Sequence, residues 1–270
     1  MKTPARHFNK TRIAPTPSGF LHLGNAYSFA LTASIAKETG AKILLRIDDL
    51  DRDRVNEAYV QDVLDTLYFL NISWDEGPRN AKEYESEWSQ IHRMAIYEKA
   101  LTQLKNSGKV FACTCSRAQI QRCTCADKNI PLDTPNASWR LRTDNETEIT
   151  INTLNDGTTK ARLPAEMKNF IVRKKDGYPA YQLTSLCDDL HFGIDLIIRG
   201  EDLWASTIAQ HYLAGVLQQP DFFKITFHHH PLIMETSGNK LSKSAGATSI
   251  KYLREMGRTR EEVYLTLPRV

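Results

Sequence analysis

Four cysteines fall within thirteen residues of this chain: Cys113, Cys115, Cys123 and Cys125, in the segment CTCSRAQIQRCTC. Two C-x-C pairs separated by seven residues can close a tetrahedral zinc site. Four protein ligands leave no open position, so such a metal is structural. The alternative is a group of reduced free thiols. The fifth cysteine, Cys187, stands alone in an apolar-rich stretch, and the clustering of the others points to metal chemistry in a reducing compartment, not to a disulfide framework.

A second set of residues suits phosphate chemistry. APTPSGFLHLGN, ending at Asn25, follows a short candidate strand and opens a helical pattern. Backbone N–H groups at a helix start are unsatisfied and favour anions, and His22 near that point can donate to a phosphate. Gly19 and Gly24 allow close approach of backbone or ligand. Far along the chain, NKLSKSAGAT carries Lys240 and Lys243 on a glycine-containing stretch. Two ammonium groups on a mobile loop suit charge that develops only during reaction, such as the release of pyrophosphate from a triphosphate. Taken alone, the first motif also fits a tight strand–helix turn and the second a solvated surface turn.

These residues must be held by an alternation of strands and helices. Residues 11–14 and 41–47 read as strands, and apolar residues recur at helical spacing over 22–38, 54–70 and 87–106. Gly40 is a C-cap candidate. Strand–helix alternation argues for a parallel sheet with crossover helices. Residues 113–169 break the pattern with cysteines, threonines and the turn signal Asn155-Asp156-Gly157, and read as an insertion. The pattern resumes with a strand at 170, a helix over 181–190, a strand over 195–198 and a helix over 203–217, and a short charged helix follows around 249–256. His228, His229 and His230 alternate across an extended chain, so they cannot all meet one ion, and are expected at the surface or a strand end.

HLGN after the first strand and KLSKS late in an interrupted α/β chain resemble the two motifs of class I aminoacyl-tRNA synthetases, usually written HIGH and KMSKS. RIAPTPSGFLHLGN, LLRIDDLDRDR and LIIRGEDLW are similar to the glutamyl subgroup in particular. With the chain stopping at Val270, soon after KLSKS, the resemblance is to the glutamyl-Q tRNA(Asp) synthetase family, which lacks the helical anticodon-reading domain. That family activates glutamate with ATP and transfers it to queuosine at the wobble position of tRNA(Asp). Ordinary glutamyl enzymes generally need their tRNA for the activation step.

The resemblance implies a role for each matching residue. Arg12 and Thr16 would bind the amino acid, Asp48 its α-amino group in place of the family's glutamate, and Tyr181 would contact the substrate. Arg199 would pair with the γ-carboxylate, a task suited to its bidentate fork. His22, Gly24, Asn25, Lys240 and Lys243 would hold the ATP phosphates and Asp202 the adenosine. Mg²⁺ is expected with the ATP. The family carries a zinc site that opens with the same C-x-C and usually ends with a tyrosine and a later single cysteine; here Cys123 and Cys125 come early.

The implied fold is a Rossmann-like doubly wound parallel sheet (α/β) with an acceptor-type insertion and a short helical C-terminal segment. Residues 1–112 and 170–235 would form the two halves of the catalytic domain, 113–169 the insertion with the candidate zinc site, and 236–270 the KLSKS loop and C-terminal segment, with no anticodon-binding domain. The expected partners are glutamate, ATP and tRNA, docked through the tRNA(Asp) anticodon loop on a monomer. A net charge of +3 permits a nucleic-acid partner without arguing for one. No apolar run reaches the roughly 20 residues needed to span a bilayer, and the N-terminus lacks a secretory apolar region, so a cytoplasmic protein is expected. Two other readings fit the same motifs: a shortened glutamyl-tRNA synthetase charging the tRNA 3′ end, and a non-catalytic RNA-binding relative.

Overall fold

The computed structural model describes residues 6–144, 146–233 and 249–269. Lys240 and Lys243 lie outside the described residues. In chain order the main elements are β1 (Lys10–Ile13), α1 (Leu23–Thr39), β2 (Lys42–Leu45), α2 (Glu57–Phe69), α3 (Met94–Asn106), β3 (Val110–Cys113), β4 (Ser138–Leu141), β5 (Glu148–Thr153) and β6 (Gly157–Arg162). They continue as β7 (Ile171–Arg173), α4 (Tyr181–His191), β8 (Leu196–Gly200), α5 (Trp204–Val216), β9 (Thr226–His230), α6 (Ile250–Glu255) and α7 (Arg260–Thr266). Among the described residues no helix is long and apolar enough to cross a membrane. The architecture is α/β with parallel strand pairs, as the alternating pattern predicts.

Two compact units form. The first comprises 1–92, 194–202 and 226–270, and the second 93–193 and 203–225. In the first unit β1 pairs with β2 in parallel, with Arg12 opposite Leu44. β8 pairs with β9 in parallel, with Arg199 opposite His229. The Asp195 N–H, just before β8, donates to the Lys10 carbonyl of β1 at 3.1 Å, and the Asp195 carboxylate accepts from the Asn9 and Lys10 N–H groups. Asp195 thus fixes where β1 and β8 begin relative to each other.

The strands of this unit are apolar because they are covered. Ile13, Leu45 and Ile47 are buried with Leu64 and Leu67 of α2, each such side chain contributing about 1.5–3 kcal/mol on removal from water. α1 begins at an N-cap, His22, paired with Asn25 in a capping box, and ends at Gly40, whose φ of 76° is the left-handed conformation that glycine adopts without strain.

The second unit is built differently. β3, β4 and β7 make an antiparallel sheet, and β5 and β6 a hairpin whose turn closes at Gly157, φ 78°. α3 and α4 are joined by a buried ion pair: Arg93 Nε donates to Asp188 Oδ1 at 2.8 Å, and the Tyr97 hydroxyl donates to the same oxygen at 2.7 Å.

Two local structures differ from the sequence expectation. The helix expected from residue 87 starts at Met94, after a π turn over Tyr84–Trp88 and a 3₁₀ turn over Gln90–Arg93. Asp49 explains the delay. Its buried carboxylate accepts from the Tyr84 hydroxyl (2.6 Å), the Ser89 hydroxyl and the Gln90 N–H (2.8 Å), and an uninterrupted α-helical ladder would not leave these donors turned toward it. A further helix, α7, forms at 260 because Thr259 and Glu262 make a capping box. His230, expected at the surface or a strand end, is the last residue of β9 and is buried, its ring packed edge-on against Tyr27 of α1 at 5.1 Å.

Candidate functional site

The loop after β1 carries the first motif to the start of α1. His22 Nδ1 accepts the Gly24 N–H at 3.1 Å, so the proton of the neutral ring sits on Nε2. A side chain at position 24 would place its Cβ 2.9 Å from the His22 ring, so glycine is what lets the imidazole fold over the helix start. Asn25 Oδ1 accepts the His22 N–H at 3.1 Å, which commits that oxygen to the cap.

Three contacts tie this motif to α6. His22 bridges Ser249 in antiparallel fashion, the Ile250 N–H donates to the Leu21 carbonyl at 2.7 Å, and the Lys251 ammonium stands 4.4 Å from the centre of the Phe20 ring. Asp62 of α2 reinforces them, accepting from the Leu21 N–H (2.9 Å) and from Arg254 of α6 (3.0 Å). Burial raises the Asp62 carboxyl above its ordinary range, against the lowering effect of the Leu21 N–H and Arg254. Ser249 and the start of α6 are therefore fastened to the first motif.

Two buried arginines stand near the ends of neighbouring strands. Arg12 is buried, and its Nη1 donates to the Ile198 carbonyl of β8 at 3.4 Å. Arg199, one residue further along β8, is 3% exposed, with its guanidinium over the Phe227 ring at 5.1 Å. Both stand at the carboxyl ends of parallel strands, where open α/β sheets bind ligands. Thr16, half-buried, lies in the loop that leaves β1. Asp48 follows β2, and its N–H donates to the Pro15 carbonyl of that loop at 2.9 Å. Its carboxylate is clasped by Arg46 at 2.7 and 3.1 Å, a buried bidentate pair.

Asp202, exposed, folds back on Gly200 at the end of β8, and a Cβ at Gly200 would lie 2.5 Å from its Oδ1. Arg12, Thr16, His22, Gly24, Asn25, Asp48, Arg199 and Asp202 all belong to the first unit. Tyr181 belongs to the second, as the first residue of α4, and is 38% exposed.

The four clustered cysteines also belong to the second unit. Their sulfurs all lie within 4.8 Å of one another, with Cys113–Cys123 and Cys115–Cys125 at 3.6 Å. A tetrahedral site with metal–sulfur bonds of about 2.3 Å has sulfurs roughly 3.8 Å apart, so the donor set fits a thiolate-bound metal ion. Hydrogen bonding divides the thiols. The contact with Cys123, followed by burial, raises Cys115 to about 12, whereas at Cys125 burial is outweighed by the Thr114 backbone and neighbouring sulfurs, lowering it to about 7.

Sequence reasoning missed Ser249, Asp62 and His229. Asp62 gave no signal, since one acid on an amphipathic helix is ordinary. His229 did give one: alternation along β9 separates it from His228 and His230 and puts it on the face of Phe227, whose ring it parallels at 6.1 Å.

Against this geometry, the family model described as tRNA synthetases class I (E and Q), catalytic domain, matches residues 9–137 and 128–270. A Glutamyl-Q tRNA(Asp) synthetase from Parasynechococcus marenigrum is 34% identical over 254 residues, covering 91% of this chain and 77% of its own length. One from Symbiobacterium thermophilum is 32% identical over 273 residues, covering 93% and 83%. A Glutamate–tRNA ligase 2 from Acidithiobacillus ferrooxidans is 30% identical over 269 residues, covering 92% of this chain and 55% of its own. The chain spans about half the length of the curated glutamate–tRNA ligases it matches. In fold it is similar to the crystal structure of glutamate-tRNA synthetase from Elizabethkingia anophelis, with a TM-score of 0.69 at 20% identity, over 92% of this chain and 54% of that one.

Proposed function

Because the chain belongs to the family of class I tRNA synthetase (E and Q) catalytic domains, we propose that it activates glutamate with ATP and transfers it to queuosine in the anticodon of tRNA(Asp). The observation that carries the glutamate assignment is the pair of buried arginines, Arg12 and Arg199, at the ends of β1 and β8. A diacid supplies the negative charge that such a pair favours. The neutral amide of glutamine would leave a buried guanidinium without its counter-charge.

In the first step a glutamate carboxylate oxygen attacks the α-phosphorus of ATP. The bond to the bridging oxygen breaks, and pyrophosphate leaves with the electron pair. No protein nucleophile is needed, and the residues supply position and charge. His22 donates from Nε2 to the phosphates beside the N–H groups of α1 and the amide of Asn25. Lys240 and Lys243 neutralise the departing pyrophosphate. Gly24 leaves room for the nucleotide, and Asp202 contacts the adenosine. Asp48, its charge shared with Arg46, receives the α-amino group, while Thr16 completes the first unit's amino-acid contacts. ATP enters as its Mg²⁺ complex. In the second step a queuosine hydroxyl attacks the acyl carbon, and AMP leaves.

The cysteine cluster holds a structural Zn²⁺ in the 113–169 insertion between the catalytic halves 1–112 and 170–235, with 236–270 as the KLSKS loop and C-terminal segment. The protein works as a cytoplasmic monomer. Support for the queuosine acceptor comes from relatives named glutamyl-Q tRNA(Asp) synthetase at 32–35% identity, beside 29–32% for those named glutamate–tRNA ligase. The test is transfer of labelled glutamate to tRNA(Asp) with and without queuosine. Label that requires queuosine and survives removal of the 3′-terminal nucleotide supports the proposal; label lost with that nucleotide contradicts it.

A further inference from the structure

Asp62 is a charged residue in an apolar place. On α2 it is 2% exposed, on a helix whose buried residues include Val60, Val63, Leu64 and Leu67. A carboxylate there costs stability unless it is paired, and an apolar side chain would pack α2 without that cost. What the carboxylate does that an apolar side chain cannot is join three segments. Its Oδ2 accepts the Leu21 N–H of the first motif at 2.9 Å, and its Oδ1 accepts from Arg254 Nη2 of α6 at 3.0 Å.

Leu21 precedes His22, and both of its backbone polar groups are held from outside the motif. Asp62 takes the N–H, and the Ile250 N–H of α6 donates to the carbonyl at 2.7 Å. His22 is tied within the motif: its N–H donates to Asn25 Oδ1, and its Nδ1 accepts the Gly24 N–H. The bonds inside the motif shape the cap. Those at Leu21 set where the cap stands against α2 and α6. The approach of α6 is continuous, since Lys251 lies over the Phe20 ring at 4.4 Å, Ile250 bonds Leu21 and Ser249 bridges His22.

We propose that Asp62 is a positioning residue of the nucleotide site: by fixing Leu21 it places His22, and through Arg254 it makes that placement depend on α6. Both of its bonds involve an ionised partner, the stronger kind of hydrogen bond. Asp65 does not share the role. It stands 3.5 Å from Arg254 Nη1 with its side chain 41% exposed, where water screens the pair.

The role rests on the nucleotide site proposed above, and one experiment separates the two. Glutamate-dependent ATP–pyrophosphate exchange is measured for the wild type, Asp62→Leu, Asp62→Asn, Arg254→Met, Asp65→Asn and the double variant Asp62→Asn/Arg254→Met, with thermal midpoints for all. Asp62→Leu keeps the packing and loses both bonds, and its KM for ATP is expected to rise about tenfold. Asp62→Asn keeps an acceptor for the Leu21 N–H and loses the charge facing Arg254, so about threefold is expected, as in Arg254→Met. The double variant should be no worse than the poorer single one, because both changes break one link. KM for glutamate stays within about twofold throughout, and Asp65→Asn matches the wild type.

A purely structural Asp62 gives another pattern: less folded protein lowers kcat and the thermal midpoint and leaves both KM values unchanged. That pattern, or a KM for ATP unaltered in Asp62→Leu and Asp62→Asn, overturns this inference alone. Rises that multiply in the double variant overturn the dependence on α6. A wild type that shows no glutamate-dependent exchange overturns the proposed function and this inference with it.

Discussion

Ser249 pairs with His22, and the neighbouring Ile250 N–H donates to the Leu21 carbonyl at 2.7 Å, fastening the start of α6 to the first motif. Residues more than 220 positions apart in the chain thus share one backbone junction. Ile250→Pro removes that N–H. Ser249 is already extended (ψ 144°), as a residue before proline must be, and proline is tolerated at the first helical position. Ile250→Ala keeps the N–H and removes the buried side chain. The expected outcome is a KM for ATP about fivefold higher in Ile250→Pro than in Ile250→Ala, corresponding to roughly 1 kcal/mol for one hydrogen bond. Equal values in steady-state exchange assays would mean that the junction does not position the nucleotide site.

Arg199 should separate charge from shape. Arg199→Gln removes the charge, and kcat/KM for glutamate is expected to fall about 100-fold, or roughly 3 kcal/mol. Arg199→Lys keeps the charge without the fork, and about tenfold is expected. Exchange assays with glutamate and glutamine check both, and discrimination between the two amino acids should shrink in the same order.

Gly200→Ala addresses Asp202. The added Cβ would lie 2.5 Å from Asp202 Oδ1 and 3.1 Å from the Leu232 side chain, so the exposed carboxylate has to swing away. KM for ATP is expected to rise about fivefold, with KM for glutamate within about twofold of the wild type. A change confined to glutamate would place Asp202 on the wrong substrate.

The cysteine cluster predicts metal content. Elemental analysis of protein purified without added metal should find about one zinc per chain, bound by four thiolates. Cys123→Ser should lose most of it and lower the thermal midpoint. Stoichiometric zinc retained by Cys123→Ser would exclude that sulfur as a ligand.

His229 also links stability to pH. Its ionisation lies near 3 in the folded chain, mainly through burial, and near 6.5 when unfolded. Between these values the unfolded chain binds a proton that the folded chain does not. Stability therefore falls as pH drops below about 6.5, at about 1 kcal/mol per unit from this residue. His228, lowered chiefly by burial, adds in the same direction. Urea unfolding at about pH 7 and about pH 5.5 should show a smaller loss in His229→Gln than in the wild type.

Much of this was legible in the residues. The strand–helix alternation pointed to parallel pairing, the asparagine-aspartate-glycine signal marked a turn without naming the two strands it joins, and C-x-C spacing named the sulfur cluster. These are local signals. What stayed hidden depends on contacts between distant residues. Asp49 breaks a helix 40 positions away by drawing Ser89 and Gln90 to itself, which no periodicity in 87–106 records. Asp62 holds Leu21 and Arg254 together although the three are far apart in the chain. His229 was hidden among three histidines, and became distinct only when the register set it opposite Arg199.

The most direct measurement is ATP–pyrophosphate exchange on the purified protein without tRNA, comparing glutamate, glutamine and aspartate. Exchange that depends on glutamate, and falls when Arg199 is replaced by glutamine, is the result expected of a site built around Arg12 and Arg199. Exchange with glutamine equal to that with glutamate, or none with any of the three, would contradict it.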